Sequence, residues 1–148
     1  MSNTMQEMQT DIGLVNTIVA RSALSFIDGE NGVLEYVGYD IDDLARNSTF
    51  EETTFLLWNK RLPSRSELAE FTEQIRTNYD LSDRMWDIIV SLPRDASPMH
   101  ALRTLTSALS LEDPGADDPS EEANARKSLA MLAKMPALIA GFDRHRKG

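Results

Sequence analysis

Residues 23–45 read ALSFIDGENGVLEYVGYDIDDLA. Within them, Asp28-Gly29-Glu30-Asn31-Gly32 separates an apolar group (Leu24, Phe26, Ile27) from the imperfectly alternating VLEYVGYDI of residues 33–41. Such a turn cluster, with glycines to supply positive φ between two β-branched and aromatic runs, predicts a β-hairpin. Upstream, GLVNTIVARSALSFI (13–27) carries β-branched and apolar residues in short groups. From Ile41 the period changes to helical, and strand alternation does not recur. The hairpin is therefore expected to be an isolated β element ahead of five or six helices, in a mainly α fold.

The helices announce themselves by their ends. In STFEETTFLLWNKRLP (48–63), Ser48 or Thr49 is placed to cap a helix with Glu51 or Glu52 three residues on, and the helix is expected to stop at Leu62-Pro63. Ser64 and Glu67 repeat the device ahead of Leu68, Phe71 and Ile75, an i, i+3, i+7 stripe. A further helix is expected from Ser82 to Pro93, and another over SPMHALRTLTSALSL (97–111), with Ser97 as cap and Pro98 in the first turn. The apolar face of the latter reads as Met99, Leu102, Leu105 and Leu109, flanked by Ala101 and Ala108. A long helix follows over 120–147, with Glu121 and Glu122 at its positive end and Arg144, His145, Arg146 and Lys147 at its negative end. Pro136 lies inside it and is expected to kink or split it. SLAMLAKMPALIAGF (128–142) is apolar nearly all the way round. Such a helix must be covered on more than one side, so another subunit or a further segment is expected against it.

At 148 residues, 41% hydrophobic and 26% charged, the chain has the composition of one globular domain. The expected organisation is a flexible leader over 1–12 and a folded body over 13–148, with a loose acidic loop near 112–120. A net charge of −9, without a Lys/Arg-rich run, argues against nucleic acid as a partner. Cysteine is absent, which removes disulfides, thiol nucleophiles and zinc–thiolate sites. Neither a signal peptide nor an apolar run of membrane-spanning length is found, so the expectation is a cytoplasmic protein with no membrane partner.

Candidates for chemistry are few. His100 opens one helix and His145 ends another, and neither has a second histidine at ligand spacing. Asp113, Asp117, Asp118, Glu121 and Glu122 lack the order of a calcium-binding loop and read as a solvated loop plus helix capping. DGENG has no Lys or Ser/Thr at phosphate-loop spacing, and no G-x-S-x-G occurs. Trp58 and Trp86 read as core or interface residues. The residues themselves assign no catalytic, cofactor-binding or metal site.

Four stretches carry a resemblance: SFIDGENGVLEYVGYDIDDLA (25–45), TFEETTFLLWNKRLPSRSELAEF (49–71), SLPRDASPMHALRTLTSALSLEDP (91–114) and ARKSLAMLAKMPALIAGFDRHRKG (125–148). In this order they resemble the N-terminal part of citrate synthases and 2-methylcitrate synthases, from about Gly13 onward. The resemblance implies a large, mostly helical domain preceded by a hairpin. It implies a complete enzyme that condenses acetyl-CoA, a substrate rather than a cofactor, with oxaloacetate and water to give citrate and CoA. It also implies that an aspartate deprotonates the thioester methyl, one histidine stabilises the enol and another polarises the oxaloacetate carbonyl. The family's His-Gly-Gly-Ala-Asn and Asp-His-x-x-Asn segments have no counterpart in these 148 residues. Ser97 stands where many members carry His before Pro-Met, and His100 does not replace it in register. None of the catalytic roles therefore falls on a residue of this chain, and the pocket that would distinguish acetyl-CoA from propionyl-CoA is not among its residues. The resemblance further implies a homodimer through helices 98–110 and 120–147, using Met99, Leu102, Leu105, Leu129, Leu132 and Leu138. Two functions compete: a segment of a citrate synthase that works with its C-terminal part, and a stand-alone dimerisation or regulatory module.

Overall fold

A computed structural model describes residues 22–148, and the chain divides into two compact units, Met1–Leu62 and Pro63–Gly148. The expected leader over 1–12 lies outside the described residues.

The first unit holds the hairpin, extended by a third strand. Strands β1 (Ser25–Asp28), β2 (Val33–Tyr36) and β3 (Tyr39–Asp40) form an antiparallel sheet in that order, with Ser25 opposite Tyr36, Asp28 opposite Val33 and Glu35 opposite Asp40. The β1–β2 turn is organised by Asp28. Its Oδ1 accepts the backbone N–H of Glu30 and of Asn31, each at 3.1 Å, while Asn31 Nδ2 donates to Oδ2 at 2.7 Å. Gly32 closes the turn at φ +68°. The β2–β3 connection is two residues, Val37 and Gly38, both at positive φ (53° and 82°) as a type I′ turn requires. Valine is an unusual occupant of that position, and its N–H is held by Leu24 O at 3.0 Å.

Asp40 ends the sheet and caps helix α1 (Ile41–Asn47), accepting from the N–H of Asp42 and Asp43. Thr49 and Glu52 form a reciprocal capping box on α2 (Phe50–Asn59), with Thr49 N donating to Glu52 Oε2 at 2.8 Å and Glu52 N to Thr49 Oγ1 at 3.2 Å. The helix ends three residues before the expected Leu62-Pro63 stop, because Lys60 takes a left-handed conformation (φ 57°) and returns its N–H to Leu56 O at 2.7 Å.

The second unit is four helices. Ser64 and Glu67 box the start of α3 (Arg65–Thr77), whose stripe places Phe71 in the interior with Leu68 and Ile75 half-buried. Helix α4 (Asp83–Ser91) is capped by Ser82, and α5 (Pro98–Ala108) runs into a 3₁₀ turn at Leu109–Glu112. Helix α6 (Glu121–Lys147) starts on Ser120, whose hydroxyl accepts from Ala123 N. It is not split at Pro136: it is one helix of 27 residues, about 40 Å long. Proline removes one N–H, but the helix continues on either side of it, and Ala137, Leu138, Gly141 and Phe142 are buried in the turns that follow.

Helix α6 touches α3, α4 and α5. The core of this unit joins Met85 and Ile89 of α4, Ala101, Leu105 and Ala108 of α5, and Leu138 and Phe142 of α6. Ala101, Leu105 and Ala108 are the buried residues of α5, and Leu102 and Leu109 of the expected row pack against the same core, partly buried. Small side chains let helix backbones approach closely, and Met99, in the first turn, is left 69% exposed. At the α4–α6 crossing Gly141 has the same role, since a Cβ there would lie 2.8 Å from Trp86 Cζ3 and 3.2 Å from Ile89 Cδ1.

Candidate functional site

Where α5 gives way to the acidic loop, a groove of about 360 Å³ opens between the 3₁₀ turn, residues 112–116 and one side of α6. Its floor is Leu109, Ala130 and Met131, and its charged rim is Glu112, Asp113, Arg126, Lys127 and Lys134. The loop is more ordered than its composition suggests. Ala116 N donates to Asp113 O at 3.0 Å and Asp118 N to Gly115 O at 3.1 Å, which makes two successive turns.

Asp113 is the hub of that order. Its Oδ1 receives Arg126 Nη2 at 2.9 Å and the Gly115 N–H at 2.9 Å. The guanidinium hydrogen bond, then the backbone one, holds the carboxyl below the usual carboxylate range. Gly115 leaves room for this: a Cβ there would sit 2.7 Å from Arg126 Nη2. Lys127 Nζ donates to Ala116 O at 3.0 Å and Asp118 O at 2.7 Å, and Lys134 Nζ to Asp80 O. Ser82 Oγ donates to Glu112 Oε1 at 2.5 Å, which joins the cap of α4 to the groove rim. Asp118, accepting from Ser120, is also held below its usual range. Asp113, Arg126, Lys127 and Asp118 fasten the loop, while Glu112 and Lys134 bind the Ser82 hydroxyl and the Asp80 carbonyl at the start of α4.

The acidic residues singled out in the sequence therefore divide. Asp113 and Asp118 organise the loop, and Glu121 and Glu122 lie in the first turn of α6. Among the described residues no group of three His, Asp or Glu side chains is arranged to hold a metal ion. His100 is exposed in the first turn of α5. His145 is half-buried in the last turn of α6, its Nε2 2.9 Å from Leu92 O, and its ring centroid lies 6.4 Å from that of Phe142. It ties the end of α6 to the end of α4. Trp58 and Trp86 are partly exposed, at 43% and 42%. Arg126, Lys127 and Lys134 escaped the sequence reading. Their signal was charge complementarity between one side of a helix and the acidic loop leading into it.

No helix among the described residues is long and apolar enough to cross a membrane. Exposed large apolar side chains include Met99, Leu111, Met131 and Ile139. Leu105 and Leu138, expected at a subunit interface, are fully buried inside this unit and are not available to one. Facing positions on α4, α5 and α6 consume them.

Comparison with known proteins places this architecture. The family model described as "Citrate synthase, C-terminal domain" matches residues 13–148. The citrate synthase of Haloferax volcanii is 46% identical over 140 residues, which span 92% of this chain and 37% of that protein. A 2-methylcitrate synthase of Mycobacterium tuberculosis is 36% identical over 136 residues, covering 92% of this chain and 34% of its own length. Among solved structures, citrate synthase from Pyrobaculum aerophilum superposes with a TM-score of 0.83 at 30% identity, over 93% of this chain and 36% of that one. The Thermotoga maritima citrate synthase gives 0.79 at 29% identity, over 92% and 35%. The chain thus spans a little over a third of the length of the relatives it matches. A short antiparallel sheet leading into six helices, the residues that build it and these likenesses agree: the chain belongs to the citrate synthase family.

Proposed function

We propose that these 148 residues are the N-terminal portion of a citrate synthase, the enzyme that joins acetyl-CoA, oxaloacetate and water into citrate and CoA, and that they supply scaffold and subunit-contact helices rather than catalytic groups. The observation that carries this reading is the family match over 13–148, in a chain little more than a third as long as its relatives and without the family's histidine and aspartate segments. The groove charges, paired with one another, with Ser82 and with backbone groups, support the same view. On this reading the chain needs no cofactor, and its partners are a second copy and the C-terminal part of a synthase.

The contact helices are α5 and α6. The exposed apolar side chains Met99, Met131 and Ile139, rather than the buried Leu105 and Leu138, are the ones presented to a partner. The second reading, a stand-alone module that pairs with itself or with a complete synthase, draws on the same exposed residues and differs only in where the catalysis resides.

One experiment separates the readings. The tagged chain is recovered from its native source, the masses of co-purifying proteins are read, and CoA release from acetyl-CoA and oxaloacetate is assayed. A partner that carries the family's histidine segments but no counterpart of residues 13–148, with activity in the eluate, supports the divided synthase. Recovery with a complete synthase supports the module. Turnover by the homogeneous chain alone overturns the assignment of the catalytic groups elsewhere.

A further inference from the structure

We propose that Asn31–Gly32, in the turn between β1 and β2, is a spontaneous modification site at which the Asn31 side-chain amide becomes a carboxylate facing Asp28. Of the seven asparagines in the chain, Asn31 alone precedes a glycine. Both residues are exposed, and no atom beyond Gly32 and its chain neighbours Asn31 and Val33 lies within 4 Å of the position a Gly32 Cβ would take. The backbone nitrogen that must act as nucleophile has no side chain of its own beside it, and no residue beyond its chain neighbours fills the space where one would stand.

The chemistry balances with water as the co-reactant. The Gly32 backbone nitrogen loses its proton to solvent and attacks Asn31 Cγ. The N–Cγ bond forms, the Cγ–Nδ2 bond breaks, and ammonia leaves after taking up a proton. Water then opens the resulting five-membered imide at either carbonyl, giving aspartate or its β-linked isomer. No group is oxidised or reduced. Asp28–Gly29, in the same turn, has the same skeleton but a poorer leaving group. Its carboxylate accepts three hydrogen bonds, from Glu30 N, Asn31 N and Asn31 Nδ2, which favour the ionised and unreactive form.

The hydrogen bond that defines the turn sets both the pace and the consequence. Asn31 Nδ2 is engaged by Asp28 Oδ2 at 2.7 Å, so the amide must leave that partner before it reacts, and the folded turn reacts more slowly than the unfolded chain. After reaction an oxygen stands where the donor was, and two carboxylates face each other across the same gap. The β-linked product also adds one backbone carbon beside the closing pair of the hairpin, Asp28 opposite Val33. Either product loosens β1 from β2.

The test incubates the purified full chain at neutral and at mildly acidic pH, folded and in denaturant. The tryptic peptide 22–46, bounded by Arg21 and Arg46, is followed by mass and by enzymatic methylation specific for isoaspartate. The acid form is expected in this peptide before any other asparagine converts, several-fold faster in denaturant than folded and slower at acidic pH. Gly32→Ala, compared with the parent in denaturant where the turn's backbone geometry has no bearing, is expected to slow it several-fold. Retention of the amide at position 31 while another asparagine converts, or a Gly32→Ala chain that reacts as fast as the parent, overturns the proposal. The consequence is read on Asn31→Asp by hydrogen exchange of the Ser25–Asp28 amides. Faster exchange is expected, and unchanged protection refutes the loosening of β1.

Discussion

Gly141→Ala sets two opposed effects against each other at the α4–α6 crossing. Alanine in a helix interior is favoured over glycine by about 1 kcal/mol, because glycine loses more backbone freedom on folding. The added methyl, however, would sit 2.8 Å from Trp86 Cζ3 and 3.2 Å from Ile89 Cδ1. The Trp86 ring is rigid but 42% exposed, so it can swing outward, whereas Ile89 is fully buried and has little room. Overpacking of this kind costs about 1–3 kcal/mol. The net expectation is therefore a loss of about 0–2 kcal/mol, a fall of several degrees in Tm for a unit of this size. Thermal melts by circular dichroism at a fixed chain concentration, in a Trp58→Phe background so that only Trp86 fluoresces, give the stability together with a red-shifted emission as the ring moves into solvent. The discriminating variant is the double substitution with Trp86→Ala. Once the ring is gone, Gly141→Ala should turn neutral or stabilising, with a coupling of about 1–2 kcal/mol between the sites. A Gly141→Ala chain that gains its full helix-propensity benefit whether or not Trp86 is present would refute the claim that this glycine exists to admit the ring.

Ser64→Ala should cost about 1 kcal/mol, read as faster amide exchange in the first turn of α3, because the hydroxyl caps Glu67 N. Ser97→Ala should leave α5 almost unchanged, since the Ser97 side chain makes no cap bond there. Asp113 has a depressed carboxyl, so its anchoring of the 112–118 loop is fully present above the ordinary aspartate value and is lost as pH falls through its lower folded value. Proteolysis of that loop should thus rise with acidification in the parent, whereas in Asp113→Asn it should be faster at neutral pH and much flatter with pH. Met99→Glu with Ile139→Glu should abolish self-association by light scattering while helix content is kept, and undiminished association would exclude these exposed positions as the contact.

The ends of elements were the most legible part of this chain. Thr49 with Glu52, Ser64 with Glu67, Ser82 and Ser120 satisfy backbone N–H groups within four residues, so their meaning is local and survives without knowledge of the fold. The β1–β2 turn was readable for the same reason. The third strand was not, because the β2–β3 turn uses Val37-Gly38 where Asn-Gly or Asp-Gly would have been the signal, and because β3 is only two residues long. The face of α5 was legible in Leu102, Leu105 and Leu109 with Ala101 and Ala108 beside them, and of the expected row only Met99, in the first turn, stays outside it. Pro136 argued for a kink or a split, and the helix is not split there. In the groove, Asp113 and Arg126 are brought together by a loop whose path no periodicity describes. The family resemblance, by contrast, lay in ungapped local motifs and was visible from the outset.

The placement of α6 has a consequence for biosynthesis. Helices α3, α4 and α5 each lean on a rod that comes after all of them in the chain. On the ribosome these three helices emerge with their apolar sides uncovered. They wait for the 27 residues of α6, a delay of roughly 1–5 s at ordinary elongation rates. Until then Met85, Ile89 and Leu105 are open to the tunnel mouth and to whatever binds nascent apolar chain there. Slow codons within the α6 coding region would lengthen that exposure, whereas the same codons before α3 would not.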